Sequence, residues 1–431
     1  MAVIAVGVFL GWWRGSDQLV EVRRLHAYAK QKVVIEAVAK TDAVYSDKTQ
    51  LAFEAGDVRL LSPDQRPLIG TFKISGFGEP MVFRGELVRV QGKLYPTRGG
   101  KQASISYAQI ERLAESRDWL AKVRRTFAAG MQTALPEPAA SLGMGLLVGQ
   151  RSTLPPDVLA TLTTVGLVHI VAVSGYNVTI LSRAVQRLNV TRSKYQKLVL
   201  ALTLISVFVL ITGFSASVVR AATVSLLSLL AWYYGRDIRP LVLIAFVAAL
   251  TGLFNPLYVW SDIGWYLSFL AFFGVLVVAP LVGRRLFAQP DKRPLPMLAV
   301  ESFAAQLMTL PLIMMIFERA SIVSLLANVL VVPLVPVAML LGAVAGVAGV
   351  LAPAMAGWAA WPAAIVLSYI LDVAGLMSRL PFANLNVGLN SVNMLVVYAA
   401  IGALLLALRR KIILGLEGGQ QKTTPAGGAK A

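Results

Sequence analysis

The chain has no cysteine and only two histidines, His26 and His169. The first absence excludes disulfides, thiolate metal sites and a cysteine nucleophile, and the second argues against a histidine-rich zinc centre. No G-x-x-x-x-G-K-[ST] run occurs, so no phosphate-binding loop for nucleotide hydrolysis is present. Charge is sparse at 14% of residues, which excludes a conventional soluble enzyme. Negative charge is scarcest, with 22 Asp and Glu against 40 Lys and Arg, for a net +18.

Apolar residues are abundant: 57% of 431, with a mean hydropathy of +0.68. The charge is unevenly spread over them. Residues 14–118 hold 17 basic and 13 acidic side chains, and only nine acids follow: Glu137, Asp157, Asp237, Asp262, Asp291, Glu301, Glu318, Asp372 and Glu417. The first region reads as a mixed-charge soluble segment and the remainder as membrane. The expected fold is a polytopic α-helical membrane protein with an N-terminal extracellular small β-barrel of the OB-like kind.

The opening run MAVIAVGVFLGWWR offers thirteen apolar residues before Arg14, short of the roughly 20 that a spanning helix needs. Residues 1–14 therefore read as a truncated or tilted anchor, and Trp12, Trp13 and Arg14 suit an interface better than a signal-peptide cleavage site. Between 30 and 113, stretches such as VVIEAVAK, TQLAFEAGDVRLL and MVFRGELVRVQGKLY alternate with period two between Gly, Pro and Asp. That pattern predicts about five antiparallel strands, the count of an OB-type barrel. Such barrels bind single-stranded nucleic acid through stacked rings and basic grooves. Arg84, Arg89, Lys93, Arg98 and Lys101 are the candidate DNA contacts. On alternation alone most of the rings at Phe53, Phe72, Phe77, Phe83, Tyr95 and Tyr107 belong to the core. Residues 115–134 interleave Trp119, Leu120, Val123 and Phe127 with basic residues, as an amphipathic interfacial helix would; packing on the barrel is the other reading.

A multi-span region is expected over 140–411, with a flexible tail over 412–431. Candidate spans lie near 165–186, 198–213, 218–235, 240–259, 263–283, 297–316, 322–351, 358–378 and 391–408. If these alternate, the basic clusters around Arg187–Lys197, Arg236–Arg239, Arg284–Arg293 and Arg409–Lys411 share one side. The positive-inside rule makes that side the cytoplasm and places the β-domain outside. Pro333 and Pro336 interrupt the long 322–351 segment and predict a broken or re-entrant helix.

Polar groups in hydrocarbon are costly, from about 2.5 to above 10 kcal/mol for a charge, so those present should face a cavity or one another. They are His169, Ser174, Asn177, Arg220, Asp262, Glu301, Gln306, Asn328 and Asp372, drawn from many segments. Each has a structural alternative: Ser174 can bond its own helix, Gly175 can serve close packing, Arg220 can snorkel, and Asp262 can cap the helix that follows.

The run HIVAVSGYNV, from His169 to Val178, resembles the H-x-x-A-[VI]-S-G-x-H-V signature of ComEC-type competence proteins. Arg220–Ala221, DIGWYLSFLA from Asp262, AQLMTLPL around Gln306 and ANVLVVPL around Asn328 resemble further elements of that family in the same order. The resemblance implies a channel that carries single-stranded transforming DNA through the cytoplasmic membrane. His169, Ser174, Gly175, Asn177, Arg220, Asp262, Gln306 and Asn328 would border the path. It implies as partners single-stranded DNA, the lipid bilayer, an extracellular DNA receptor and a cytoplasmic ATPase or helicase. No cofactor, metal or catalytic residue is implied. Two departures stand out: Asn177 replaces a frequent second histidine, and no H-x-H-x-D-H run of the metallo-β-lactamase-like nuclease is present, so no enzymatic activity is expected. Rival readings are a small-solute or ion transporter, suggested by the broken helix with Glu301 and Asp372, and an intramembrane hydrolase with Ser174 as nucleophile and His169 as base.

Overall fold

The computed structural model describes residues 2–45, 50–68, 70–78, 81–97, 102–115, 119–150, 153–171, 178, 193–212, 216–237, 239–256, 258–259, 262–287, 294–381 and 383–421. Helix α1 runs from Ala2 to His26. It does not stop at Arg14, because the following residues, Gln18, Leu19, Glu21, Arg23 and Arg24 among them, are good helix formers.

The N-terminal region holds a sheet of five main strands: β1 (Lys32–Ala39), β3 (Leu51–Ser62), β5 (Phe72–Phe77), β6 (Leu87–Pro96) and β7 (Ala103–Ala114), with the short β2 (Val44–Tyr45) and β4 (Arg66–Leu68) appended to β3. β1 pairs with both β3 and β6, and β3–β5–β7–β6 completes the circuit, with only β5 and β7 parallel. The pairing thus returns to its first strand, as a small OB-like domain requires. Alternation sends Val33, Ile35, Phe53, Phe72, Ile74, Val90, Leu94 and Ile105 inward. Three rings escape the core: Phe77, Tyr95 and Tyr107 are 47%, 39% and 68% exposed.

Helix α2 (Trp119–Ala134) joins this domain to the helical region. Its joint is Glu86, fully buried, which accepts the Phe83 N–H at 2.9 Å and meets the guanidiniums of Arg112 and Arg125 at 3.7 and 3.4 Å. Arg125 also stacks over Phe83, 5.2 Å from the ring centre. Further along, α2 packs on α12 (Val335–Leu351) through glycines: a Cβ at Gly130 would lie 2.6 Å from the Gly346 carbonyl, and one at Gly349 would collide with the Gly130 backbone. Such small-residue contacts let helix backbones approach closely. Trp119 and Val123 stay on the exposed side of α2.

After α2 come α3 (Ala139–Val148), α4 (Pro156–Thr164) and the single turn α5 (Val168–Val171). Then follow α6 (Lys194–Thr212), α7 (Ala216–Tyr233), α8 (Pro240–Phe254), α9 (Ile263–Leu286), α10 (Pro294–Phe317), α11 (Val323–Val331), α12, α13 (Ala356–Ser378) and α14 (Ser391–Gln421). Among the described residues, six helical stretches are long and apolar enough to cross a membrane: 194–212, 263–286, 296–317, 323–351, 353–378 and 391–410. Most of the expected 165–186 span lies outside the described residues. The 323–351 stretch breaks into a 3₁₀ turn at Val332–Leu334, where Pro333 removes a backbone donor. A π-turn the periodicity did not predict occurs within α9 at Gly274–Val278, where a Cβ on Gly274 would lie 2.5 Å from the Ala304 carbonyl of α10.

Arginines close the C-terminal ends of two helices. Arg124 of α2 and Arg84 of the β-domain donate to the terminal carbonyls of α6, Leu210 at 2.9 Å and Thr212 at 3.3 Å. Arg14 of α1 does the same for α8, at 3.4 and 3.5 Å from Leu253 and Phe254. Cations there satisfy free carbonyls and complement the helix dipole.

Gly349→Leu should force α2 and α12 apart and cost about 1–3 kcal/mol through overpacking. Thermal unfolding of the detergent-solubilised protein should show this as a lowered Tm, whereas the neighbouring Val347→Leu, on an exposed face, should leave Tm unchanged.

Candidate functional site

Two groups of polar side chains lie within the helical region. In the first, Arg220 sits at the start of the second turn of α7 and is only 2% exposed. One terminal nitrogen donates to the Gly264 carbonyl at 3.1 Å, while Nε and the other terminal nitrogen have no acceptor among the described residues. Asp262 lies near enough to act on the guanidinium electrostatically. Its own carboxylate caps α9, accepting the Trp265 N–H at 3.2 Å, the role its position ahead of IGWYLSF suggested. Burial thus rules out the snorkelling alternative for Arg220. A buried guanidinium with two unpaired nitrogens is an incomplete anion site, since unpaired buried charge is expensive.

The second group joins α5, α10 and α11. Gly166, held at φ +73°, presses against Ser324, so that any side chain there would collide: a Cβ would lie 2.7 Å from the Ser324 Cβ. His169 Nδ1 lies 2.9 Å from the Gly166 carbonyl. A carbonyl only accepts, so Nδ1 carries a proton. Ser324 Oγ gives its one proton to the Ser321 carbonyl at 2.7 Å, and its lone pair receives Gln306 Nε2. That fixes the amide: Gln306 Oε1 points away and finds no donor among the described residues. Asn328, one turn along α11 from Ser324, is 9% exposed and its Oδ1 is equally unpaired. The group therefore offers neutral acceptors, in contrast to the donors of Arg220.

Gln306 is thus brought to Ser324, one turn from Asn328, and Arg220 is brought near Asp262; His169 is tied to Gly166, which packs on Ser324, but is itself exposed. Ser174, Gly175 and Asn177 lie outside the described residues. Asp372 stands on an exposed face of α13 beside Trp361, Ser368 and Tyr369. In the β-domain, Arg84 is engaged at the end of α6 and Arg89 meets Glu36 and Glu111 at 3.0 and 3.8 Å. Lys93 is exposed, and Arg98 and Lys101 lie outside the described residues. Sequence reasoning missed Gly166, Ser324 and Gly264. Ser324 carried a faint signal in its four-residue spacing from Asn328, which places both on one helix face.

Residues 146–411 match the family described as "Competence protein". The chain belongs to that family. It is also 30% identical, over 248 residues, to ComE operon protein 3 of Bacillus subtilis (strain 168), a match that covers 56% of this chain and 31% of that protein. No solved structure matches it. The matched stretch includes both polar groups and leaves out the β-domain.

Two substitutions test the second group. Ser324→Ala strands Gln306 Nε2 and should cost about 1 kcal/mol. Gly166→Val adds both a side-chain collision and an unfavourable positive φ, and should lower Tm further. Equal melting of the two variants and the unaltered protein would show that the group is not packed in this way.

Proposed function

We propose that the chain is a multi-pass protein of the cytoplasmic membrane that passes single-stranded DNA to the cytoplasm during competence. The observation that carries this reading is Arg220: a buried cation with two unpaired donors in an apolar helix is matched by a phosphate. Membership of the competence family supports it, as do the basic clusters on the loops, which would favour a polyanion at the exit. In this reading the β-domain lies outside and holds the strand, and the acceptors at Gln306 and Asn328 meet the donor edges of bases. An external DNA receptor and a cytoplasmic ATPase or helicase deliver and pull the strand, and the described chain itself catalyses no reaction. The break at Val332–Leu334 favours a second reading, a small-solute transporter with its site at a discontinuous helix.

Uptake of labelled DNA separates them. A deletion strain complemented with Arg220→Ala should take up at least about tenfold less than one carrying the unaltered gene, at equal protein level, because a charge-assisted contact is worth about 1.5–3 kcal/mol. Arg220→Lys should recover part of the loss. Normal uptake in the deletion strain itself would sink the DNA reading and leave the transporter.

A further inference from the structure

The outer face of β6, β7 and β5 combines features that no other described face of the sheet has. Pairing aligns its outward residues in rows: Tyr95, Ser104 and Lys73 in one, Lys93 and Ser106 in the next, Gln91, Gln109 and Phe77 in the third. Tyr107 stands beside Ser106 because the ladder bulges there: Gln91 pairs Gln109 and Lys93 pairs Ser106, so two β7 residues, Tyr107 and Ala108, face the single Gly92. Gly92 makes the bulge possible, since a Cβ on it would lie 2.6 Å from Ile105 Cγ2 and 3.2 Å from Ala108 Cα. Tyr107 takes φ +51°, unusual for an aromatic residue, and ends up 68% exposed.

Rows lie about 7 Å apart along the strands, so the three rings are spread over the face and not buried against one another. Lys73 and Lys93 are exposed between them, and small hydroxyl and amide side chains form the floor. Among the described residues its carboxylates lie only at the edges, where Glu54 of β3 stands opposite Lys73 in the ladder. The first acid along β7 is Glu111, which meets Arg89 at 3.8 Å at the edge. OB-type barrels commonly hold nucleic acid across the second and third strands, here β3 and β5. But β3 points Glu54 and Asp57 away from the core, which would repel phosphates.

We infer that the outer face of β6, β7 and β5 binds single-stranded nucleic acid, with bases stacked on Phe77, Tyr95 and Tyr107 and phosphates met by Lys93 at its centre, Lys73 standing at the β3 edge opposite Glu54. The inference rests on the reading of the chain as a DNA path and names where the strand is first held. Stacking needs unpaired bases, so a duplex fits this face poorly.

The test uses the full chain in detergent and the fluorescence anisotropy of a labelled oligothymidylate. Tyr95→Ala and Tyr107→Ala should each weaken binding about tenfold, while Tyr107→Phe, which keeps the ring, should stay within about twofold of the unaltered protein. Lys93→Gln should reduce the slope of log affinity against log salt by about 0.7, the value for one phosphate contact on a single strand. Alanine variants that bind as tightly as the unaltered protein, or duplex that competes as well as single strand, would overturn the face. Cellular uptake keeps the two ideas apart. Ring-dependent binding together with normal uptake in the deletion strain retains the face and removes the path; chain-dependent uptake without ring-dependent binding does the reverse.

Discussion

The arrangement of this protein depends on one buried carboxylate. Glu86 leaves the β-domain core at zero exposure, yet receives a backbone N–H and two guanidiniums, one from β7 and one from α2. Taking a lone carboxylate out of water would cost several kcal/mol, so its position is tenable only while Arg112 and Arg125 remain in place. Because Arg125 belongs to α2, the same ion cluster fixes the start of that helix against the sheet. The glycine contacts of α2 with α12 then transmit this placement into the helical region. Removing both arginines would strand a buried carboxylate, a loss typically worth about 3–5 kcal/mol, far more than an exposed ion pair; removing one costs less, because the other still meets Glu86.

From that joint a second set of contacts follows. Arg84 and Arg124 reach α6 together because β-domain and α2 are already locked, and Arg14 reaches α8 from α1. Each spends a cation on helix-terminal carbonyls that would otherwise lack partners. These arginines account for part of the positive charge. A net +18 is therefore partly structural, and a count of basic residues overstates the surface offered to an anion.

Much of this was legible in the sequence. Period-two alternation located the five main strands, hydropathy located the long helices, and Pro333 located the break in the 323–351 stretch. Asp262 announced itself as a cap by standing directly before an apolar helical run. What stayed hidden depended on tertiary contact. Alternation assigned most of the rings to the core, and a bulge that shifts the count by one is invisible until Gly92 is seen opposite Tyr107. The helix past Arg14 was missed because hydropathy marks the end of an apolar run and not the end of a helix. Arg84 and Arg89 looked like free cations because their acceptors, the Thr212 carbonyl and the Glu36 carboxylate, lie 128 and 53 residues away. Gly166 carried no local signal, since its requirement comes from Ser324.

The two polar groups of the helical region differ in kind. Arg220 presents donors and positive charge, and suits an anion. Gln306 Oε1 and Asn328 Oδ1 are neutral acceptors, which would repel a phosphate and attract N–H groups. A transporter for a simple anion would need only the first, and one for a simple cation only the second. A single strand of DNA carries both demands along its length: a phosphate at every nucleotide, and amino groups on adenine, cytosine and guanine. Separate acceptor and donor groups on different helices therefore fit a ligand that is charged along one edge and polar but neutral along the other. The face of β6, β7 and β5, with lysines set among aromatic rings, divides its chemistry in the same way.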